Sequence, residues 1–277
     1  MAKKKKMTVM DFRKYKEEGR MFTYVTGYDY TTASIIDDSD CEVILVGDSL
    51  GMVMLGYDGT TEVTMEEMIH HIKPVVKGAP NTFIVGDMPF GSYNVSKEKA
   101  VENANRIYKE TGCDCIKLEG GTEMVETVKA IVTAGIPVMG HIGLTPQTAG
   151  SLGGFKVQGN TPEGAEKILE DALALEEAGA FSIVLECVPK GVAKVLKDRL
   201  SIPILGIGAG PHVDCQVLVT QDLLGMYGNL KPKFVKQFAD IRKAMIDGLN
   251  KFHEESVSGE FPTSEYSFNA KVEGFEE

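Results

Sequence analysis

The chain lacks any run of about eighteen apolar residues, so a transmembrane helix is not expected. Cysteine is scarce, with five among 277 residues, at positions 41, 113, 115, 187 and 215. The odd count and the scatter suggest no disulfide framework. Cys113 and Cys115 are spaced C-x-C rather than C-x-x-C, which gives no zinc site, and a reducing cytoplasm fits. Positive charge is in deficit: 29 Lys and Arg stand against 40 Asp and Glu, for a net charge of −11 and a pI near 5.1. That balance argues against nucleic acid or an anionic membrane as the main partner. The basic start MAKKKKMTV is followed by no apolar h-region and does not read as a secretory signal. GIGAG (206–210) is not G-x-G-x-x-G and has no Walker lysine, so its plain reading is a tight turn.

What the chain does have is a hydrophobic content of 43%, enough for a substantial core. Short apolar segments alternate with amphipathic ones. MFTYV (21–25), EVILV (42–46), TFIVG (82–86), CIKLE (115–119), PVMGH (137–141), FSIVLE (181–186), PILGIG (203–208) and, least clearly, QVLV (216–219) read as strands. Most are continuously apolar, as strands buried on both faces are. The spacing predicts helices over 63–78, where Pro74 should kink or break the run, over 96–112 behind Ser96, and over 161–180 behind Thr161 and Pro162. Eight βα units without a linker-like break predict one α/β domain over 1–277, a (β/α)8 TIM barrel. An extra helix (about 7–19) precedes it, and a helix and tail (about 231–277) follow. A doubly wound open sheet is the alternative.

In such a barrel all strand C-termini open on one face, where active sites are built. Tyr28 and Asp29, Asp48, Asp87, Lys117 with Glu119, His141, and Glu186 all stand at these tips. Three carboxylates with no Cys or His among them suit a hard cation such as Mg²⁺. Simpler roles compete. Asp48 could cap a helix, Lys117 and Glu119 could be a buried ion pair, and a lone His141 is as often structural. Glu186 ends an apolar run, which suits a general base, although a fourth metal ligand or a helix cap is an equal reading. LGGFKVQG (152–159) reads as a loop over the mouth, with Lys156 and Gln158 as candidate substrate contacts.

VGDSLGMV, DMPFGSY, KLEGG, GHIGLTPQ, GGFKVQG, LECVP and GIGAG follow one another in an order and spacing that resembles the 3-methyl-2-oxobutanoate (ketopantoate) hydroxymethyltransferases, over about residues 7 to 268. The resemblance implies a barrel of the phosphoenolpyruvate/pyruvate type, assembled as a cytoplasmic homodecamer. It implies transfer of a one-carbon unit from 5,10-methylenetetrahydrofolate to 3-methyl-2-oxobutanoate. The product would be 2-dehydropantoate, formed through a metal-stabilised enolate, for pantothenate and coenzyme A biosynthesis. Carried onto the matching positions, Asp48, Asp87 and Glu119 would hold Mg²⁺ or another divalent cation. Asp48, Ser49, Asp87, Lys117 and His141 would contact the keto acid, and Glu186 would accept the proton. A Mg²⁺-dependent carbon–carbon lyase of the isocitrate lyase/phosphonomutase type is the rival enzyme class, and a non-catalytic scaffold the rival outside enzymes. Clustered carboxylates argue against the scaffold.

Overall fold

Inward and outward residues alternate along each strand, and this alternation organises the whole barrel. In the computed structural model, which describes residues 4–228 and 232–275, eight parallel strands close on themselves in sequence order, β1-β2-β3-β4-β5-β6-β7-β8. After α1 (Val9–Glu17) come β1 (Phe22–Thr26), α2 (Tyr30–Asp37), β2 (Val43–Val46), α3 (Met65–Gly78), β3 (Phe83–Asp87), α4 (Lys97–Thr111) and β4 (Cys115–Glu119). Next are α5 (Val125–Thr133), β5 (Val138–Gly143), α6 (Pro162–Glu177), β6 (Ser182–Glu186), α7 (Lys190–Arg199), β7 (Ile204–Ile207) and β8 (Cys215–Leu218). Closure comes from β8 pairing with β1 through Phe22 opposite Cys215 and Tyr24 opposite Val217. The least legible segment is therefore a true strand, and the open sheet is excluded.

The interior is filled by Tyr24, Val43, Leu45, Phe83, Val85, Cys115, Met139, Val184, Leu205 and Val217. α1 plugs the end at which the strands begin. Its Phe12 is fully buried and meets Phe22, Phe83 and Phe181 edge-on, at centroid distances of 5.2, 4.9 and 5.1 Å. Burying a Phe in this way is worth about 1.5–3 kcal/mol. The lysine-rich start also has a structural use. Lys4 Nζ donates to the carbonyls of Ile36, Ser39 and Cys41, so a cation sits at the C-terminal end of α2, where carbonyls lack helical partners.

Helix ends follow local rules. Ser96 and Thr161 accept from the backbone N–H of Lys99 and Gly164, and Thr64 and Glu67 form a capping box at α3. Pro74 does not break α3, which runs unbroken to Gly78. The carbonyl that Pro74 leaves without a partner belongs to His70, an exposed residue that water can serve.

The chain divides into two compact units. One runs to Thr220 and takes in Lys233–Val235, and the other comprises Gln221–Pro232 and Lys236–Glu277. A short α8 (Thr220–Leu223) stands at the division, and the second unit contains α9 (Ile241–Ser258). Residue 231 lies outside the described residues, but 232–240 carry no helix, so the last helix starts later than expected, at Ile241, capped by Asp240.

Candidate active site

The polar cluster is a continuation of the core pattern. Val85, Cys115, Met139 and Val184 point inward, so two residues later Asp87, Lys117, His141 and Glu186 point inward too, with Glu119 one step further along β4. Register aligns them: Asp87 faces Lys117, and Glu119 faces His141. Asp48 joins from the loop after β2, where its backbone N–H donates to the Asp87 carboxylate at 3.2 Å.

Lys117 Nζ lies 2.6 Å from Asp87 Oδ1 and 3.9 Å from Glu119 Oε1, with both pairs enclosed. His141 lies between two carboxylates, Nδ1 at 3.3 Å from Glu119 and Nε2 at 3.1 Å from Glu186, without in-line hydrogen-bond geometry to either. Glu186 is the most open of these groups, at 15% side-chain exposure against 1–4% for Asp87, Lys117, Glu119 and His141. Ser49 Oγ is 2.8 Å from the Tyr28 hydroxyl.

The charges explain one another. Burial alone would lower Lys117, but Asp87, Glu119 and Asp48 outweigh it and hold the ammonium charged. Burial and then the Asp87 and Glu119 charges push Asp48 up, and burial also leaves Asp87 raised despite Lys117. His141 is held at about 9: burial opposes the cation, and Glu119 overrides it. For Glu119 burial is likewise overridden, chiefly by His141, and the carboxyl stays low.

Two backbone features fix Glu186. Gly143 has φ +90°, and a Cβ there would stand 2.3 Å from the Glu186 carbonyl, which accepts from Leu144 N–H at 2.9 Å. Cys187, next to Glu186, is a non-glycine residue with a positive φ of +48°, a sparsely populated backbone conformation that recurs at functional sites. Its carbonyl accepts from Gln158 N–H at 2.9 Å and so ties down the end of the glycine-rich loop. Lys156 and Gln158 themselves lie outside the buried cluster, with the Gln158 amide donating to the Lys156 carbonyl. Asp29 is a helix cap, accepting from Thr32 N–H at 2.8 Å. Asp48 is not a cap, since its carboxylate accepts from Gln147.

The sequence model of the family described as ketopantoate hydroxymethyltransferase matches residues 6–264. The chain belongs to the ketopantoate hydroxymethyltransferase family. A 3-methyl-2-oxobutanoate hydroxymethyltransferase of Heliobacterium modesticaldum is 60% identical over 264 residues, covering 95% of this chain and 96% of that protein. One of Clostridium novyi is 54% identical over 263 residues, with the same coverage. The barrel also resembles phosphonopyruvate hydrolase, solved with oxalate and Mg²⁺ (TM-score 0.61, 14% identity, 94% of this chain and 93% of that one). A second fold neighbour is 2,3-dimethylmalate lyase of the PEP mutase/isocitrate lyase superfamily (TM-score 0.57, 14% identity, 94% and 92%). At that identity the two show the fold alone. The transferase class stands, and the lyase alternative is left with fold kinship only.

Members of a ketopantoate hydroxymethyltransferase family are expected to use a divalent cation, and the donor chemistry here fits one. Asp48 and Asp87 are buried carboxylates with raised pKa values, and Lys117 is the ammonium set among them. Among the described residues no three His, Cys, Asp or Glu side chains close a metal cage by themselves. Lys117, Gln147 and His141 already engage the carboxylate oxygens. A hard cation that keeps water and substrate oxygens in its shell needs only one or two carboxylates.

Sequence reasoning missed Gln147 and Tyr93. Gln147 is buried, donates to Asp48 and to the Met88 carbonyl at 2.9 Å each, and accepts from Tyr93 Oη. Its own N–H donates to Glu119 at 3.0 Å. The signal was present in GHIGLTPQ, but an uncharged amide in a loop gives no chemical reason to be singled out.

Proposed function

We propose that the chain transfers a hydroxymethyl group from 5,10-methylenetetrahydrofolate to C3 of 3-methyl-2-oxobutanoate, giving 2-dehydropantoate for pantothenate and coenzyme A biosynthesis. The observation that carries this reading is the inward-facing set of Lys117, His141 and Glu186 beside the Asp48–Asp87 pair, in a chain of this family.

Asp48, Asp87 and Glu119 would hold Mg²⁺ or another divalent cation, which when bound supplies Lewis-acid polarisation of the 2-oxo group. Lys117, kept charged by its carboxylate neighbours, balances the substrate carboxylate, with Ser49 and His141 as further contacts. Glu186 takes the C3 proton, and protonated His141 at 3.1 Å holds the Glu186 carboxylate in place. C3 then bonds to the donor's methylene carbon. Water supplies the hydroxyl oxygen, and tetrahydrofolate departs.

The partners in this reading are the keto acid, the folate and further copies of the chain. The family resemblance supports a cytoplasmic homodecamer, and exposed Met245, Leu249 and Phe252 on one face of α9 support assembly. No helix among the described residues is long and apolar enough to cross a membrane.

The test is NMR of C3-deuterated 3-methyl-2-oxobutanoate with purified protein, with and without Mg²⁺ and without folate. Metal-dependent loss of deuterium is expected. No loss, with tetrahydrofolate either absent or present, would turn the assignment towards the lyase.

A further inference from the structure

Beside the buried cluster lies a second cavity, of about 460 Å³, which the chemistry above does not use. Three loops at the C-terminal ends of the strands line it: Gly59 to Thr61 after β2, Phe90 after β3, and Pro146 to Ser151 with Phe155 after β5. Its size is within the range of small-molecule sites, about 300–1,000 Å³.

One feature of its wall points to a ligand. Phe90 and Phe155 belong to different loops, and both leave their rings exposed. Exposed aromatic surface from two loops of one cavity contributes little to the fold but suits a flat ring lying against it. Gln147 contributes to the same cavity while its side-chain amide donates to Asp48 at 2.9 Å, so cavity and cluster share a wall.

We infer that this cavity receives the flat heteroaromatic ring of the one-carbon donor, with Phe90 and Phe155 against it. The inference rests on the hydroxymethyl-transfer reading and adds the donor's place to it. Gln147 sets the boundary: on one side lie the metal and keto-acid groups, on the other the ring that delivers the methylene carbon.

The two halves of the reaction separate the test. C3 exchange needs no folate, whereas transfer and tetrahydrofolate binding do. Full-length Phe155→Ala, Phe90→Ala and Ser151→Trp are compared with wild type in the presence of Mg²⁺, by tetrahydrofolate titration calorimetry and by KM for 5,10-methylenetetrahydrofolate. Each variant is expected to weaken folate binding and raise that KM by about tenfold or more, the order of an aromatic stacking contact. Folate-independent C3 exchange should keep its wild-type rate, and Phe155→Tyr should restore binding to within roughly twofold of wild type. Folate binding and KM within about twofold of wild type in all three variants, with exchange intact, would overturn the pocket alone. Absence of both exchange and tetrahydrofolate binding in the wild-type protein would overturn the parent reading and the pocket together.

Discussion

Gln147 Nε2 donates to Asp48 Oδ2 at 2.9 Å, and Gln147 N donates to Glu119 Oε2 at 3.0 Å, so one neutral residue orients two carboxylates of the proposed metal set. Outer-shell partners of this kind are typically worth about 10–100-fold in metal affinity or activity. Gln147→Ala is therefore expected to lower kcat/KM and Mg²⁺ affinity by that order, with kcat falling more than KM rises. Tyr93→Phe removes only the hydroxyl that donates to Gln147 and should have a smaller effect in the same direction. Steady-state kinetics across a Mg²⁺ titration checks both. Wild-type metal dependence in Gln147→Ala would show that Asp48 and Glu119 orient themselves.

Glu186 is the most open carboxylate of the cluster, and the pKa of its neighbour His141 is raised to about 9, with burial opposing the charge and Glu119 overriding it. Glu186→Gln keeps the shape and removes the proposed base. Keto-acid and metal binding should persist, while C3 exchange falls by about 10²–10⁴-fold, the usual range for a general base. Calorimetric titration of the keto acid, paired with deuterium exchange, reads the two effects separately. Exchange at the wild-type rate would remove Glu186 from the role.

Most strands were legible because burial on both faces writes itself as continuous apolar runs, and EVILV and TFIVG give β2 and β3 almost residue for residue. The tips were legible for the complementary reason: a charge at the end of such a run has no place in a core. Of the helices of eight residues or more, α2, α5 and α7 were not marked. They are short, at 8, 9 and 10 residues, which leaves little periodicity to detect. Pro74 misled because its cost depends on which carbonyl loses its partner, and that is a matter of exposure rather than of sequence. Convergence at the tips followed from barrel topology, but the links among these residues did not. The bridge from Gln147 to Asp48 spans 99 positions and is set by how a loop folds over the mouth.

Removing the divalent cation should destabilise the protein. Binding to the folded state alone contributes about 2.7 kcal/mol when the ligand is at about one hundred times its dissociation constant. Mg²⁺ is thus expected to raise Tm and EDTA to reverse the rise. Asp87→Asn removes a carboxylate from the set while keeping its volume, and should abolish most of the Mg²⁺-dependent shift. Lys117 keeps Glu119 within 3.9 Å, so the variant is expected to fold. Differential scanning calorimetry of both proteins with and without Mg²⁺ measures this, and a wild-type-sized shift in Asp87→Asn would refute the ligand assignment.

His141 gives the metal-free protein a pH dependence of definite sign. Its pKa is held at about 9 in the fold against 6.5 ordinarily; burial opposes the charge, and the Glu119 carboxylate at 3.3 Å overrides it. A group whose pKa is raised by folding favours the fold in its protonated form. That stabilisation is complete below pH 6.5, declines as pH rises towards 9, and is gone above 9. The shift corresponds to about 3 kcal/mol. Glu119 contributes with the opposite slope at acid pH, since its lowered pKa makes its share disappear as pH falls through the folded value. EDTA-treated wild-type protein should therefore unfold at lower urea at about pH 9.5 than at about pH 6, and His141→Asn should lose most of that difference. Matching pH profiles for the two proteins would mean that His141 is neutral between its carboxylates, and orientation of Glu186 by a cation would have to be abandoned.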